Sequence, residues 1–82
     1  MKVRATVDIK GCDFDSWKEF YDSYAAERSK YVIDEVVTKT NDHWAEVVFE
    51  IKDVDGLTKL SSRQDIRDFE TLNQITVTIE PT

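Results

Sequence analysis

DFDSWKEFYDSYAAER, residues 13–28, is the stretch that decides the fold of this 82-residue chain. Its apolar side chains recur every three or four residues, so on a helix of about 3.6 residues per turn they share one face. That face holds five of the nine aromatic residues of the chain and consists of Phe14, Trp17, Phe20, Tyr21, Tyr24 and Ala25. The stretch therefore predicts a helix with one aromatic face, which needs a broad apolar surface to pack against.

The two ends of this predicted helix carry charged residues. Asp13 is the expected N-cap, because a carboxylate there accepts hydrogen bonds from the free amides of the first turn. Arg28 falls, by helical angle, inside the apolar arc. We expect its guanidinium to extend along the surface to water at the negative end of the helix, because arginine is rarely fully buried. The alternative is an inward-pointing cation at the mouth of a pocket.

Four other segments predict β-strands: residues 2–9 alternate apolar and polar side chains cleanly, whereas the two middle segments are partly apolar on both faces. The two middle segments flank the turn pair Asn41-Asp42, which predicts a hairpin. In the last segment Ile75, Val77 and Ile79 are expected to point inward. The predicted strands are residues 2–9, 31–40, 43–52 and 72–80.

A second, shorter helix is predicted between the third and fourth strands. Apolar residues recur every three positions from Val54 to Leu60, with Asp53 or Asp55 as the cap, and one further helical turn is expected around Ile66. The element order is then β-α-β-β-α-β. Right-handed crossovers place both helices on one face of a four-stranded antiparallel sheet with strand order 4-1-3-2. We therefore predict one α+β, ferredoxin-like domain over residues 1–82.

Composition excludes several classes of function. Seventeen acidic against eleven basic residues give a net charge of −6, which disfavours nucleic-acid binding because such a surface repels phosphates. No apolar run approaches about 18 residues, so no membrane span is predicted. Cys12 has no partner for a disulfide, and no ligand spacing indicates a metal or another cofactor. With no signal-peptide pattern, we expect a cytoplasmic protein.

The segment FDSWKEFY, residues 14–21, follows a short first strand and a turn. In this it resembles the helix entry of small uncharacterised members of the dimeric α+β barrel superfamily, which includes antibiotic-biosynthesis-monooxygenase-like proteins. As architecture, the resemblance covers nearly the whole chain. It implies a homodimer whose two sheets pack face to face and, in members with an activity, a cavity between sheet and helices. No catalytic set of the superfamily matches residue by residue, so no catalytic residue is predicted.

A ligand site is predicted beneath the aromatic helix. Its residues are Trp17, Tyr21, Tyr24 and Arg28, and the small side chains of Ala5 and Ala45 are expected to lie opposite them. Filling by the aromatic rings is the simpler outcome, because protein interiors are closely packed. The alternative is a pocket for a small aromatic or apolar molecule.

A dimer interface is predicted on the sheet face that the helices leave uncovered. Its residues are Trp44, Val48, Arg4 and Glu46. Burying that face would help so short a chain, whose own core is small. The leading hypothesis is a small acidic homodimer that serves as a binding or interaction module. The alternatives are a cofactor-free monooxygenase-like enzyme or binder acting on a small aromatic or apolar ligand, and an adaptor that binds proteins through its acidic helical face.

Overall fold

A computed structural model describes residues 1–82 as four strands and four helices. In chain order they are β1 (Lys2–Ile9), α1 (Phe14–Ser23), α2 (Ala25–Arg28), β2 (Val32–Asn41), β3 (Trp44–Ile51), α3 (Val54–Ser61), α4 (Gln64–Leu72) and β4 (Ile75–Pro81). The strands form one antiparallel sheet in the order β2-β3-β1-β4, and the helices lie on one side of it. The predicted α+β, ferredoxin-like fold and its strand order are confirmed.

The central strand β1 determines where the core lies. It pairs with β3 on one side and with β4 on the other, so that Ala5 stands opposite both Val47 and Ile79. Alternate residues of β1 are buried under the helices, as the two-residue period predicts. The buried side chains of β1 are Val3, Ala5, Val7 and Ile9.

Helix α1 begins and packs as its sequence predicts. Asp13 caps it, because its Oδ1 accepts a hydrogen bond of 2.9 Å from the amide of Ser16. Trp17 and Tyr21 are buried against the sheet, and their rings stack with centroids 4.8 Å apart. The aromatic residues of α1 therefore form its inner face. Ala25, which the helical spacing predicts on the same face, is exposed, because the helix breaks just before it.

The predicted helix over residues 13–28 is interrupted at Tyr24, where φ is −118° and ψ is 26°. Just before the break, the hydroxyl of Ser23 donates a hydrogen bond to the carbonyl of Phe20 and so competes with the helical backbone. Arg28 consequently lies on the short helix α2. Its side chain turns inward and the residue is only 6% exposed. The expectation that Arg28 extends to water is wrong.

The second predicted helix also consists of two helices. Asp53 caps α3, because its Oδ1 accepts a hydrogen bond of 3.0 Å from the amide of Gly56. Helix α4 runs for nine residues and includes Leu72, which the sequence pattern had placed in the last strand. The helix ends where the Asn73 amide side chain bonds the Phe69 carbonyl at 3.0 Å and Gln74 takes a positive φ of 52°. The last strand therefore starts at Ile75.

Strand β2 contains a β-bulge that points one side chain toward the helices. Ile33 pairs with Glu50 and Val36 pairs with Val48, so two residues of β2, Asp34 and Glu35, stand opposite one residue of β3. Asp34 adopts a positive φ of 57°. The extra residue places Glu35 on the helix side of the sheet, which the sequence pattern did not predict.

Candidate ligand-binding site

A cavity of about 230 Å³ lies between the helices and the sheet, beneath Trp17. Fifteen of its eighteen lining residues are hydrophobic. Ala5 and Val47 form part of its floor, since small and branched side chains at these central positions do not reach the helices. The aromatic helix thus covers a hollow, and the simpler expectation of a filled core is not met at this place.

The cavity opens along the free edge of β4. Val77 and Ile79 face the helix side, as predicted, because they pair with Val7 and Ala5 of β1. Both line the cavity, and yet they are 41% and 54% exposed. Ser61, also exposed, completes this part of the rim. A small molecule can therefore reach the interior between β4 and the pair α3–α4.

A buried polar cluster forms another part of the cavity wall. Arg28 donates from Nε to Oε2 of Glu35 at 2.6 Å and from Nη2 to Oε1 at 3.0 Å. Its Nη1 donates to the carbonyl oxygen of Tyr21 at 2.6 Å, and its Cζ lies 3.5 Å from the centre of the Tyr21 ring. The Tyr21 hydroxyl donates to Oε2 of Glu35 at 2.7 Å. The positive charge of Arg28 is therefore matched inside the protein.

Two titratable side chains on the cavity wall have no such partner. The hydroxyl of Tyr24 and the carboxylate of Glu70 each line the cavity and make no hydrogen bond or ion pair with another residue. Burial raises the pKa of Tyr24 to about 12, and the charge of Glu70 also raises it. Burial likewise raises the pKa of Glu70, against the opposing effect of Arg67. Glu70 and Tyr24 are therefore the titratable groups of the cavity wall that have no partner.

The four residues predicted as a ligand site lie together on the cavity wall. Trp17 forms part of its roof, Tyr24 contributes a free hydroxyl, and Tyr21 with Arg28 closes one end. Of the two alanines, Ala5 lines the cavity and Ala45 does not. Ala45 is instead fully buried in the packed part of the core.

Sequence reasoning missed Glu35 and Glu70. Glu35 had no local signal, because only the bulge in β2 brings it to the helix side. Glu70 did have one: it lies four residues after the buried Ile66, so on a helix it must share the inner face. An acidic residue on the inner face of an amphipathic helix is the pattern that would have indicated it.

The residues of the predicted dimer interface lie on the sheet face opposite the helices. Val48 pairs with Val36 of β2 and with Arg4 of β1 across this face. Trp44 is 37% exposed and Val36 is 60% exposed. Arg4 forms its ion pair with Glu80 of β4, at 3.3 Å, and Glu46 stands opposite Thr6 instead. The face is thus a mixed apolar and charged surface.

Two groups outside the cavity have structural roles or none. Nδ1 of His43 lies 3.0 Å from the Ile9 carbonyl and 3.1 Å from that of Cys12, so the ring fastens the hairpin turn to the end of β1. Burial raises the pKa of the Cys12 thiol, which makes it a poorer nucleophile.

No cluster of three or more His, Cys, Asp and Glu side chains is arranged to hold a metal ion. No helix combines the length and apolar character that crossing a membrane requires.

Comparison with known proteins shows similarity of fold. No protein-family model and no curated protein matches the sequence. A conserved protein from Methanosarcina mazei Go1 superposes with a TM-score of 0.58 at 18% identity, covering 100% of this chain and 93% of the other. An antibiotic biosynthesis monooxygenase-like protein from Deinococcus radiodurans superposes with a TM-score of 0.55 at 5% identity, covering 100% and 92%. The resemblance to such proteins is confirmed as one of architecture.

Proposed function

We propose that this protein binds a small, largely apolar molecule in the cavity beneath Trp17. The observation that carries the proposal is a hollow of about 230 Å³ with fifteen hydrophobic lining residues in a chain of 82. Protein interiors are normally packed with few voids larger than a water molecule. Apolar side chains that line a hollow lose packing contacts there, which lowers stability. So small a domain has little stability to lose, and a ligand that fills the space accounts for keeping it.

The dimensions of the cavity set the size of the ligand. An apolar cavity of about 150 Å³ accommodates benzene, so 230 Å³ accommodates a ring with a short substituent. Trp17 and Tyr21 offer ring faces, and Tyr24 offers a hydroxyl. Arg28 forms one part of the cavity wall. Because it is paired with Glu35, its positive charge is not free to bind an anionic ligand. We therefore expect an aromatic or aliphatic ring compound without a net negative charge.

Binding is proposed ahead of catalysis. The Deinococcus radiodurans neighbour is named for monooxygenase chemistry, and a cofactor-free reaction of that kind would use the same cavity. It would also need a set of groups that act on the bound molecule, and the cavity wall presents only Glu70 and Tyr24 as free titratable groups. Ligand binding requires no more than the hollow and its apolar wall.

Filling the hollow tests the proposal directly. We expect Ala5→Leu, which adds three carbons to the cavity floor, to fold and to abolish the rise in melting temperature that a small ring compound gives with the wild type. Ala26→Leu is the matched control, since it makes the same change at an exposed position of α2. A ligand-induced rise that survives Ala5→Leu and is the same in both variants would contradict the site.

We further propose that the protein is a homodimer through the open face of the sheet. Ile33, Val36 and Trp44 are exposed there by 40%, 60% and 37%. Lys2 stands opposite Glu50 on the same face, so a two-fold axis can bring each charge near its opposite in the second copy. A standard interface buries about 800 Å² per partner, which is roughly one face of a sheet of this size.

A further inference from the structure

Glu70 occupies a position that its own helix does not favour. It lies in the last turn of α4, Gln64–Leu72, where the partial charge of the helix is negative and no basic residue balances it. The residue is also partly buried, and its carboxylate makes no hydrogen bond or ion pair. Each of these features destabilises an ionised carboxylate. Glutamine or lysine would serve the folded structure better, so the placement points to a ligand.

The surroundings of Glu70 are aromatic. Its neighbour Phe69 stacks on Phe20 with ring centroids 4.0 Å apart, and Phe20 meets Tyr24 edge to face at 5.5 Å. All three rings line the cavity together with Glu70. Aromatic faces attract cations, and a carboxylate among them adds a full opposite charge in a site that partly excludes water.

Two of the three arginines near this end of the cavity are already paired, and the third, Arg67, points to the exposed side of its helix. Arg28 is held by Glu35, and Arg63, whose Cζ lies 5.9 Å from the Tyr24 ring, is held by Asp65 at 2.7 Å. Arg67 lies one turn before Glu70 on the exposed side of α4. With a net charge of −6 over the whole chain, the field at the cavity favours a cation over an anion.

We infer that the ligand is a hydrophobic amine whose protonated nitrogen is recognised by Glu70 while its apolar body fills the cavity. The ammonium donates hydrogen bonds to the carboxylate, and the rings of Phe20, Phe69 and Tyr24, which line the same cavity, contact the carbon chain beside it. This inference rests on the proposed binding function and adds the chemical class of the ligand.

Three probes with similar bodies and different charges test it: 2-phenylethylamine, 2-phenylethanol and 3-phenylpropionate. Each is titrated calorimetrically at neutral pH and low salt into the wild type, Glu70→Gln and Glu19→Gln. Glu19→Gln removes the same charge from the exposed face of α1 and controls for net charge. We expect the wild type to bind the amine about tenfold or more tightly than the alcohol, and the propionate most weakly.

The variants test the amine preference separately from the proposed binding function on which it rests. Glu70→Gln should reduce amine affinity to that of the alcohol and leave alcohol binding unchanged, while Glu19→Gln keeps the preference. If the wild type binds alcohol and amine equally, or if the preference survives Glu70→Gln, the amine inference is overturned and the cavity remains a binding site. If no probe binds to any of the three proteins, the binding function fails and the inference fails with it.

Discussion

Arg28 and Glu35 form a two-bonded ion pair, with Nε 2.6 Å from Oε2 and Nη2 3.0 Å from Oε1, across the gap between the short helix α2 and the bulged strand β2. The Arg28 side chain is 7% exposed and that of Glu35 24%. Neither residue could reach the other without the break at Tyr24 and the bulge at Asp34 and Glu35. Two local irregularities of the backbone therefore create one internal contact.

Removing one partner of this pair should be costly. Glu35→Ala leaves a buried guanidinium without its counter-charge, and we expect the free energy of unfolding to fall by about 3 kcal/mol. Glu27→Ala, which breaks the exposed pair with Lys30, should change it by less than about 0.5 kcal/mol. Urea titrations measure both. A double variant, Arg28→Met with Glu35→Leu, should be more stable than Glu35→Ala, because it leaves no unpaired charge inside.

Trp17 should be the side chain on which stability depends most. It is 5% exposed and stacks on Tyr21 while roofing the cavity, so Trp17→Ala enlarges an existing hollow. We expect a loss of about 3–5 kcal/mol in urea unfolding. Lys18 lies on the outer side of the same helix, paired with Asp22, and Lys18→Ala should cost less than about 0.5 kcal/mol. Equal losses would show that the helical face is wrongly assigned.

The open sheet face should hold two copies together. Light scattering after size exclusion at micromolar concentration is expected to give a mass near twice 9.6 kDa for the wild type. Val48→Glu places a charge between Val36 and Arg4 in the middle of that face and should yield monomers. A monomeric wild type, or a dimer that tolerates Val48→Glu, would exclude this face as the interface.

Glu70 should make stability depend on pH in a direction unusual for a carboxylate. Burial raises its pKa above the ordinary 4.5, so in the interval between the two values the folded protein binds more protons than the unfolded chain. Stability contributed by the protonated group is present below 4.5 and is lost as the pH rises through the folded pKa. The charge of Arg67 on the same helix opposes the raised pKa of Glu70, and Glu70 in turn raises the pKa of Tyr24 on the cavity wall.

The substitution Glu70→Gln isolates this effect. At neutral pH the glutamine variant should melt at a higher temperature than the wild type, because it buries no charge. The gain should shrink as the pH falls through the folded pKa of Glu70 toward 4.5, and should level off below 4.5, where Glu70 is protonated in both the folded and the unfolded protein. Glu19→Gln controls for net charge. A gain that is constant between pH 7 and pH 4 would rule out a buried charge as its cause.

The regular parts of the fold were predictable, and the irregular ones were not. The spacing of Trp17 and Tyr21 identifies the inner face of α1, because the residues that an amphipathic helix buries recur with the period of the helix. The alternation in β1 reports the core in the same way. The partner of Arg28 depends on one inserted residue in β2, and pairing register is decided by the whole sheet. The helical period therefore predicts that Arg28 lies on the aromatic face, but it cannot predict that Glu35 is its partner.

The site was predictable only in part for a related reason. Aromatic residues over Ala5 indicate either tight filling or a hollow, and the choice depends on distances of an ångström or two between helix and sheet. Sequence patterns do not contain such distances. The exposure of Val77 and Ile79 is similar: their alternation indicates the inner side of β4, but not that the helices stop short of it.

The location of β4 has a kinetic consequence. It is hydrogen-bonded to β1 alone, two of its cavity-facing side chains, Val77 and Ile79, are 41% and 54% exposed, and no further strand covers its outer edge. Segments with few buried contacts open at a lower free energy than the centre of a sheet. As an edge strand that forms one wall of the cavity, β4 should separate from β1 more readily than the two central strands separate from each other. These brief separations would set how fast a molecule enters and leaves. Amide hydrogen exchange would report this directly, since a bound molecule would slow exchange in β4 more than in β3.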